Sequence, residues 1–254
     1  MDDFAADPSH PRYDSLLKRH MLEKAAKKGM LAGSALIAHG RGEAYDYLLG
    51  EQTIKSAMSA TKFALQNLIN SKKSVISLNG NTTAIAGIEL MKLASAIDCP
   101  IEVNIFYRTP ERMKILLSHL ESINDEFELN VKILGANPDS LIPGLEGPRA
   151  KCCYEGIFSS DVILVPLEDG DRCEALVAMG KTVIVVDLNP LSRSSRKASI
   201  TIVDEISRVA NNMLSLIEKD EHLDEEFNYD NDEIIKNSIN YITNSLAEKY
   251  DLSN

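Results

Sequence analysis

The chain has few cysteines, and their spacing suits neither zinc nor a framework of disulfides. Only Cys99, Cys152, Cys153 and Cys173 occur in 254 residues, with no C-x-x-C pair among them. Structural zinc is therefore not indicated. Partly buried thiols are the simpler reading, and the vicinal Cys152-Cys153 pair is poorly placed for a relaxed disulfide. Basic charge is also short: 27 Lys and Arg stand against 38 Asp and Glu, a formal net charge of −11. That argues against a general binder of nucleic acid or anionic membrane, which relies on clustered cations. A local basic pocket for a phosphorylated ligand stays compatible with it. No apolar run approaches the roughly 20 residues that a spanning helix needs. The acidic opening Met1-Asp2-Asp3-Phe4 has no signal-peptide pattern, so a cytoplasmic location is expected. Neither a Walker A loop nor G-x-G-x-x-G follows any apolar run, and no internal repeat or low-complexity segment stands out. What is present is ordinary for a globular protein, with 44% hydrophobic and 26% charged residues. The length suits one large α/β domain, or a core with a smaller appendage.

The periodicity changes along the chain. Residues 1–72 read as a helical region. Leu16, Leu17, Met21 and Leu22 recur near helical spacing, with Gly29 as the stop. A second helical stretch holds Leu31, Ala35, Leu36 and Ile37 and runs into His39-Gly40-Arg41-Gly42-Glu43, and a third covers about 53–70. From residue 74 short β-branched runs alternate with helical ones. Strands are expected at 74–78, 101–106, 131–134, 161–165, 182–186 and 200–203. Thr109-Pro110 opens the helix after the second strand as cap and first residue. This alternation predicts an α/β fold: a Rossmann-like, mainly parallel sheet flanked by helices, with right-handed crossovers over 73–218. Residues 219–254 read as an acidic, solvated linker (218–226) and a C-terminal helix. Ile234, Ile235, Ile239, Ile242 and Leu246 give that helix an apolar face for the core or for another subunit.

The most informative segment is Asp187-Leu188-Asn189-Pro190-Leu191-Ser192-Arg193-Ser194. An acid at the carboxyl end of a buried parallel strand is placed to bond a ribose hydroxyl, because ligands of open α/β sheets bind outside those ends. Pro190 stops strand pairing. Ser192, Arg193 and Ser194 put hydroxyls and a guanidinium at a potential helix start, suited to phosphate, while the segment alone reads equally as a plain strand-to-helix turn with a surface arginine. Asn79-Gly80-Asn81-Thr82-Thr83 is a strand-to-helix turn whose helix start offers free N–H groups to an anion, although an ordinary capped turn is the favoured reading. In His39-Gly40-Arg41-Gly42-Glu43 the glycines permit close approach and Arg41 can fork onto phosphate, or the segment is a helix break with surface charge. The apolar residues before it favour a buried or cleft-lining His39. Residues 144–151 form a Gly/Pro-rich loop with the cations Arg149 and Lys151. Glu168-Asp169-Gly170-Asp171-Arg172 could hold Mg²⁺ on a nucleotide or simply cap a helix, and the capped helix start is slightly favoured.

Several long segments resemble the archaeal phosphopantothenate synthetase family, the 4-phosphopantoate–β-alanine ligases of coenzyme A biosynthesis. They are SHPRY (9–13), LIAHGRGEAYDYLLGE (36–51), LNGN (78–81), IEVNIFYRTPER (101–112), IPGLEGPRAK (142–151), DVILVPLEDGDRCEALVAMGK (161–181) and DLNPLSRSSRKASITIVDEI (187–206). The resemblance covers nearly the whole chain. It implies condensation of 4-phosphopantoate with β-alanine, ATP as co-substrate with Mg²⁺, release of AMP and pyrophosphate through an acyl-adenylate, and a homodimer. It places ATP contacts on Arg19, Arg41, Asp187, Leu188, Asn189, Arg193, Ser194, Glu205 and Ile206. Ser194 stands where relatives usually have Thr, and Glu205 where they usually have Asn, which leaves a backbone contact at 205 more secure than a side-chain one. The motif designates no catalytic group. Asn81, Arg108, Arg149 and Lys151 are substrate-binding candidates from chemistry and loop placement. Two other readings remain at this stage: a nicotinamide-dependent oxidoreductase, disfavoured by the missing glycine fingerprint, and a non-catalytic nucleotide-binding regulator. Pyrophosphate release that needs both 4-phosphopantoate and β-alanine separates the ligase from both.

Overall fold

The computed structural model describes residues 4, 6–166, 169–220 and 228–250. Most of the acidic run at 218–226, Glu168 and the first three residues lie outside them. Three helices come first: α1 (Tyr13–Lys27), α2 (Ala35–Leu49) and α3 (Lys55–Asn70). Then follow β1 (Ser74–Leu78), α4 (Gly80–Ala96), β2 (Ile101–Val103), α5 (Pro110–Glu126) and β3 (Ile133–Leu134). A small antiparallel hairpin, β4 (Ser140–Leu141) with β5 (Lys151–Cys152), precedes β6 (Val162–Pro166). The chain continues through α6 (Gly170–Ala178), β7 (Thr182–Val186), α7 (Arg193–Lys197), β8 (Ile200–Ile202), α8 (Ile206–Glu218) and α9 (Asn231–Tyr250).

The main sheet has six strands in the order β3-β2-β1-β6-β7-β8, and every pairing in it is parallel. Counting its strands alone, this is the doubly wound order 3-2-1-4-5-6. Alternation along the central strands divides the core in two. Ile76, Leu78, Leu164, Ile184 and Val186 face a large cluster built with α1, α3, α4, α5 and α8. Val75, Ile163, Val165, Val183 and Val185 face a smaller one made with α6, Ile142, Cys152 and Ile157. Both faces are covered, which is why these strands read as unbroken apolar runs.

Several local expectations need correction. The run 101–106 pairs only as far as Val103, and 131–134 contributes only Ile133–Leu134. The loop 144–151 ends in a short 3₁₀ turn (Pro148–Ala150) and then enters the hairpin, so Lys151 is a strand residue. Leu31 precedes α2 rather than lying in it, and His39-Gly40-Arg41-Gly42-Glu43 is neither a loop nor a break. It lies inside α2, where backbone hydrogen bonding and flanking helix formers outweigh the roughly 1 kcal/mol that a glycine costs. The apolar lead-in itself stays exposed, Leu36 43% and Ile37 69%, but His39 is half-buried and lines a small cavity, in keeping with the cleft-lining expectation.

The fold opens a crevice where the chain reverses its winding. β1 and β6 lie side by side, but α4 leaves β1 onto the large-core face while α6 leaves β6 onto the other. Their first turns diverge above the strand ends. Asn79 spans the gap, its Nδ2 donating to the Pro166 carbonyl at 3.2 Å. It also caps α4: Asn79 Oδ1 accepts from Thr82 N at 3.1 Å, and Thr82 Oγ1 accepts from Asn79 N at 2.8 Å.

Candidate active site

A cleft of about 770 Å³ lies over the carboxyl ends of β1, β2, β6 and β7, roofed by α2. That is the size of a small-molecule or nucleotide site. Arg41, Asp187, Leu188, Asn189, Arg193 and Ser194 line it, as do Asn81 and Arg149. Two segments nearly 150 residues apart in sequence are thus brought together by the helix α2 lying across the ends of β7.

Asp187 follows β7 directly and is packed inside the turn it organises. Its Oδ1 accepts from Asn189 N at 2.9 Å, and its Oδ2 accepts from Ser192 Oγ at 2.6 Å. Burial is the largest influence on this carboxyl and holds it above the ordinary aspartate range. The Ser192 and Asn189 hydrogen bonds and the charge of Arg41 pull it down without cancelling that effect. Ser192 in turn caps α7, accepting from Ser195 N at 3.0 Å, which is the helix start expected at that point. Asn189 Oδ1 accepts from Leu191 N at 2.9 Å. The segment is therefore a self-bonded loop presenting one carboxylate to the cleft. Arg193 lines the cleft but is held by Asp171 and Glu174.

Opposite, Asn81 is 8% exposed, and its Nδ2 donates to the Ala35 carbonyl at 2.9 Å, tying α4 to the start of α2. Arg149 pairs with Asp169 at 2.7 Å. Asp169 is the N-cap of α6, accepting from Arg172 N at 2.9 Å, so the capped helix start favoured from the sequence is what forms.

Five sequence-predicted residues do not line this cleft. Arg19 is bound to Glu43, Nε to Oε1 at 2.9 Å, and to the Tyr47 hydroxyl at 2.8 Å. Glu205 caps α8 and lines a separate cavity of about 90 Å³ with Lys18 and His39, and Leu188 lines both spaces. Burial alone would raise the Glu205 carboxyl. Its ion pair with Lys18 at 2.7 Å and the Ser207 hydrogen bonds outweigh this and hold it below the usual glutamate range. Ile206 is 2% exposed and belongs to the core. Arg108 donates to the Gly135 carbonyl, and Lys151 is exposed on β5. His39 is half-buried beside the smaller cavity, and burial holds its pKa below the ordinary imidazole value against the opposing charges of Glu43 and Glu205. All four cysteines are buried free thiols, and burial pushes Cys99 and Cys152 up to about 12, which makes them poor nucleophiles.

The structure adds one cation that sequence reasoning passed over. Arg112, in the first turn of α5, lines the cleft. The available signal was its position: an arginine at a helix start opposes the helix dipole, and an anion from elsewhere relieves that conflict.

Comparison with known proteins gives this cleft a context. Residues 56–245 match the family described as Phosphopantothenate/pantothenate synthetase. The chain belongs to that family. Among its relatives, the 4-phosphopantoate–β-alanine ligase of Thermococcus kodakarensis is 51% identical over 208 residues, covering 82% of this chain and 78% of the relative. The ligase of the same name from Methanosarcina mazei is 41% identical over 243 residues, 93% of this chain and 94% of that one. For this synthetase-family chain the strand order, which dinucleotide enzymes also use, carries no cofactor assignment. Its first turn is Asn79-Gly80-Asn81, not a glycine fingerprint.

Proposed function

We propose that this chain is an ATP-dependent ligase joining 4-phosphopantoate to β-alanine, with 4′-phosphopantothenate, AMP and pyrophosphate as products. The reading is carried by family membership over residues 56–245, together with an arginine-lined cleft at the sheet's switch point. The cleft holds Arg41, Arg112, Arg149 and Arg193 against Asp169 and Asp187, an excess of cations in a protein of net charge −11. Anionic substrates concentrate in such a site.

In the first step the phosphopantoate carboxylate attacks the α-phosphorus of ATP. The new C–O–P bond forms as the bond to the pyrophosphate oxygen breaks. Arg41 and Arg193 offset charge on the phosphates, while Asp187 bonds the ribose. In the second step the neutral amine of β-alanine attacks the acyl carbon. The acyl C–O bond breaks, AMP departs and the nitrogen loses its extra proton. No acid or base is assigned, and the acceleration comes from orientation and charge neutralisation. Arg19, Glu205 and Ile206 belong to the ATP set by resemblance. Of these, Glu205 lines the small neighbouring cavity, which shares Leu188 with the cleft.

Mg²⁺ is expected to arrive with the triphosphate. Such an ion is carried on phosphate oxygens and keeps much of its water shell. Bound there, it neutralises phosphate oxygens. The chain is further proposed to be a cytoplasmic homodimer. Among the described residues no helix is long and apolar enough to cross a membrane.

Isotope transfer tests the mechanism. With heavy oxygen in the phosphopantoate carboxylate, one label is expected in AMP. Label in inorganic phosphate, with ADP as product, overturns the adenylate route.

A further inference from the structure

We propose that Arg112 binds the phosphate of the acid substrate, on the β1–β2 side of the cleft and opposite the nucleotide. The inference rests on the ligase reading and extends it to the residue that recognises the phosphorylated form of the acid.

The four arginines of the cleft differ in how they are neutralised, Arg41 standing exposed on α2 where water screens its charge. On the β7 side and above the switch point, Arg193 has Asp171 and Glu174, and Arg149 has Asp169. Arg112 has no acid partner among the described residues. Its Nη1 donates to the Tyr107 carbonyl at 2.5 Å and its Nη2 to the Met30 carbonyl at 3.1 Å. Its Nε is buried with no partner. A guanidinium carries five N–H groups, so two bonds leave three donors, one of them shut away from water. The cation is half-buried, and burial depresses its pKa. A charge held out of water by neutral carbonyls alone is costly. An arriving dianion removes that cost.

The surroundings fit a phosphate. Arg112 lies against the first turn of α4, where a Cβ on Gly80 would stand 3.4 Å from Nη2. Thr82 N is taken by the Asn79 cap, which leaves the N–H groups of Gly80 and Asn81, at the start of that 17-residue helix, without acceptors in the helix. They and the guanidinium approach the same part of the cleft. The loop of Asp187 lies across the switch point, so a ribose bonded there leaves this side to the second substrate. A phosphate anchored at Arg112 directs the other end of the acid, its carboxylate, back toward the nucleotide.

Calorimetric binding of 4-phosphopantoate and of pantoate, to wild type and to Arg112→Gln, tests this without turnover. Wild type is expected to bind the phosphorylated acid at least about tenfold more tightly, as one charge-assisted contact implies. In Arg112→Gln that preference is expected to collapse to within about threefold, with ATP affinity unchanged. A preference that persists in the variant overturns the proposal, as does loss of ATP affinity with phosphopantoate binding intact. Arg112 also ties the Met30 and Tyr107 segments, so Arg112→Lys, which keeps the charge and loses the fork, is measured beside it. An intermediate preference in that variant supports the assignment, and a wild-type preference in it refutes it. Failure of wild type to form AMP would count against the ligase reading, whereas the coupling between Arg112 and the phosphate is read from binding alone.

Discussion

Asp187→Asn separates function from stability at one position. In the folded protein the Asp187 carboxyl has a raised pKa, chiefly from burial. A folded pKa above the unfolded one means that the native state holds the proton more tightly. The stability linked to that proton is present below the ordinary aspartate range and is lost as pH rises through the raised value. At neutral pH the ionised group therefore opposes folding. Asparagine removes the charge and keeps the geometry: its carbonyl accepts from Asn189 N, and its amide can donate to Ser192 Oγ, whose own proton can turn to Ser195 Oγ at 3.0 Å. The variant is expected to match or exceed wild type in thermal midpoint at pH 7. The advantage should shrink as pH falls toward the aspartate range. Each kcal/mol gained would appear as about 2–4 °C in a chain of this size. ATP affinity should move the other way. Replacing a charge-assisted bond to a ribose hydroxyl by a neutral one forfeits up to about 1.5–3 kcal/mol, or roughly 10- to 150-fold in Kd. Calorimetric titration with ATP and melting curves from pH 4 to 8 (about the range in which a perturbed carboxyl titrates) provide the check. Unchanged ATP affinity refutes the ribose contact. A midpoint several degrees lower at pH 7 refutes the argument that the charge is held against the interests of folding.

Arg41→Lys is expected to lower kcat/KM at least about tenfold with little change in thermal midpoint, because Arg41 is exposed on α2 and Lys keeps the charge but not the planar fork. A rate within twofold of wild type counts against a direct phosphate contact. Gly80→Ala would bring a Cβ to 2.8 Å from the Met30 carbonyl, so the start of α4 must shift. A loss of about 1–3 kcal/mol is expected by chemical denaturation, together with reduced turnover, since the shifted turn borders the cleft. A variant equal to wild type in both would show that the Met30 segment yields freely.

Much of the molecule is legible in its residues because the signals are local. The β-branched run Thr182–Val186, ended by an acid and then a proline, announces a buried strand, and the structure has it with those bounds, with Asp187 lining the cleft at its end. Thr109 and Pro110 mark the start of α5, and Asn79 caps α4 with Thr82. The two caps depend on hydrogen bonds reaching three residues, and the strand is read from the composition of its own run. The strand order, by contrast, is a property of crossovers and packing. Nothing in 74–78 or 161–165 says that those runs lie side by side and so open the crevice. Nor do the residues at 39–43 say that backbone hydrogen bonding will carry α2 through two glycines and set Arg41 across from Asp187.

Charge partners follow the same division. The sequence shows that Arg19, Arg41, Arg108, Arg112, Arg149 and Arg193 are cations able to meet phosphate. Which of them already meets a carboxylate is decided only in three dimensions. Arg19 finds Glu43, Arg193 finds Asp171 and Glu174, and Arg149 finds Asp169, while Arg112 ends among carbonyls. The reason is physical. Local propensity acts through neighbours in the chain, but the energy of a charge depends on distance and burial, and both are set by how the helices lie on the sheet.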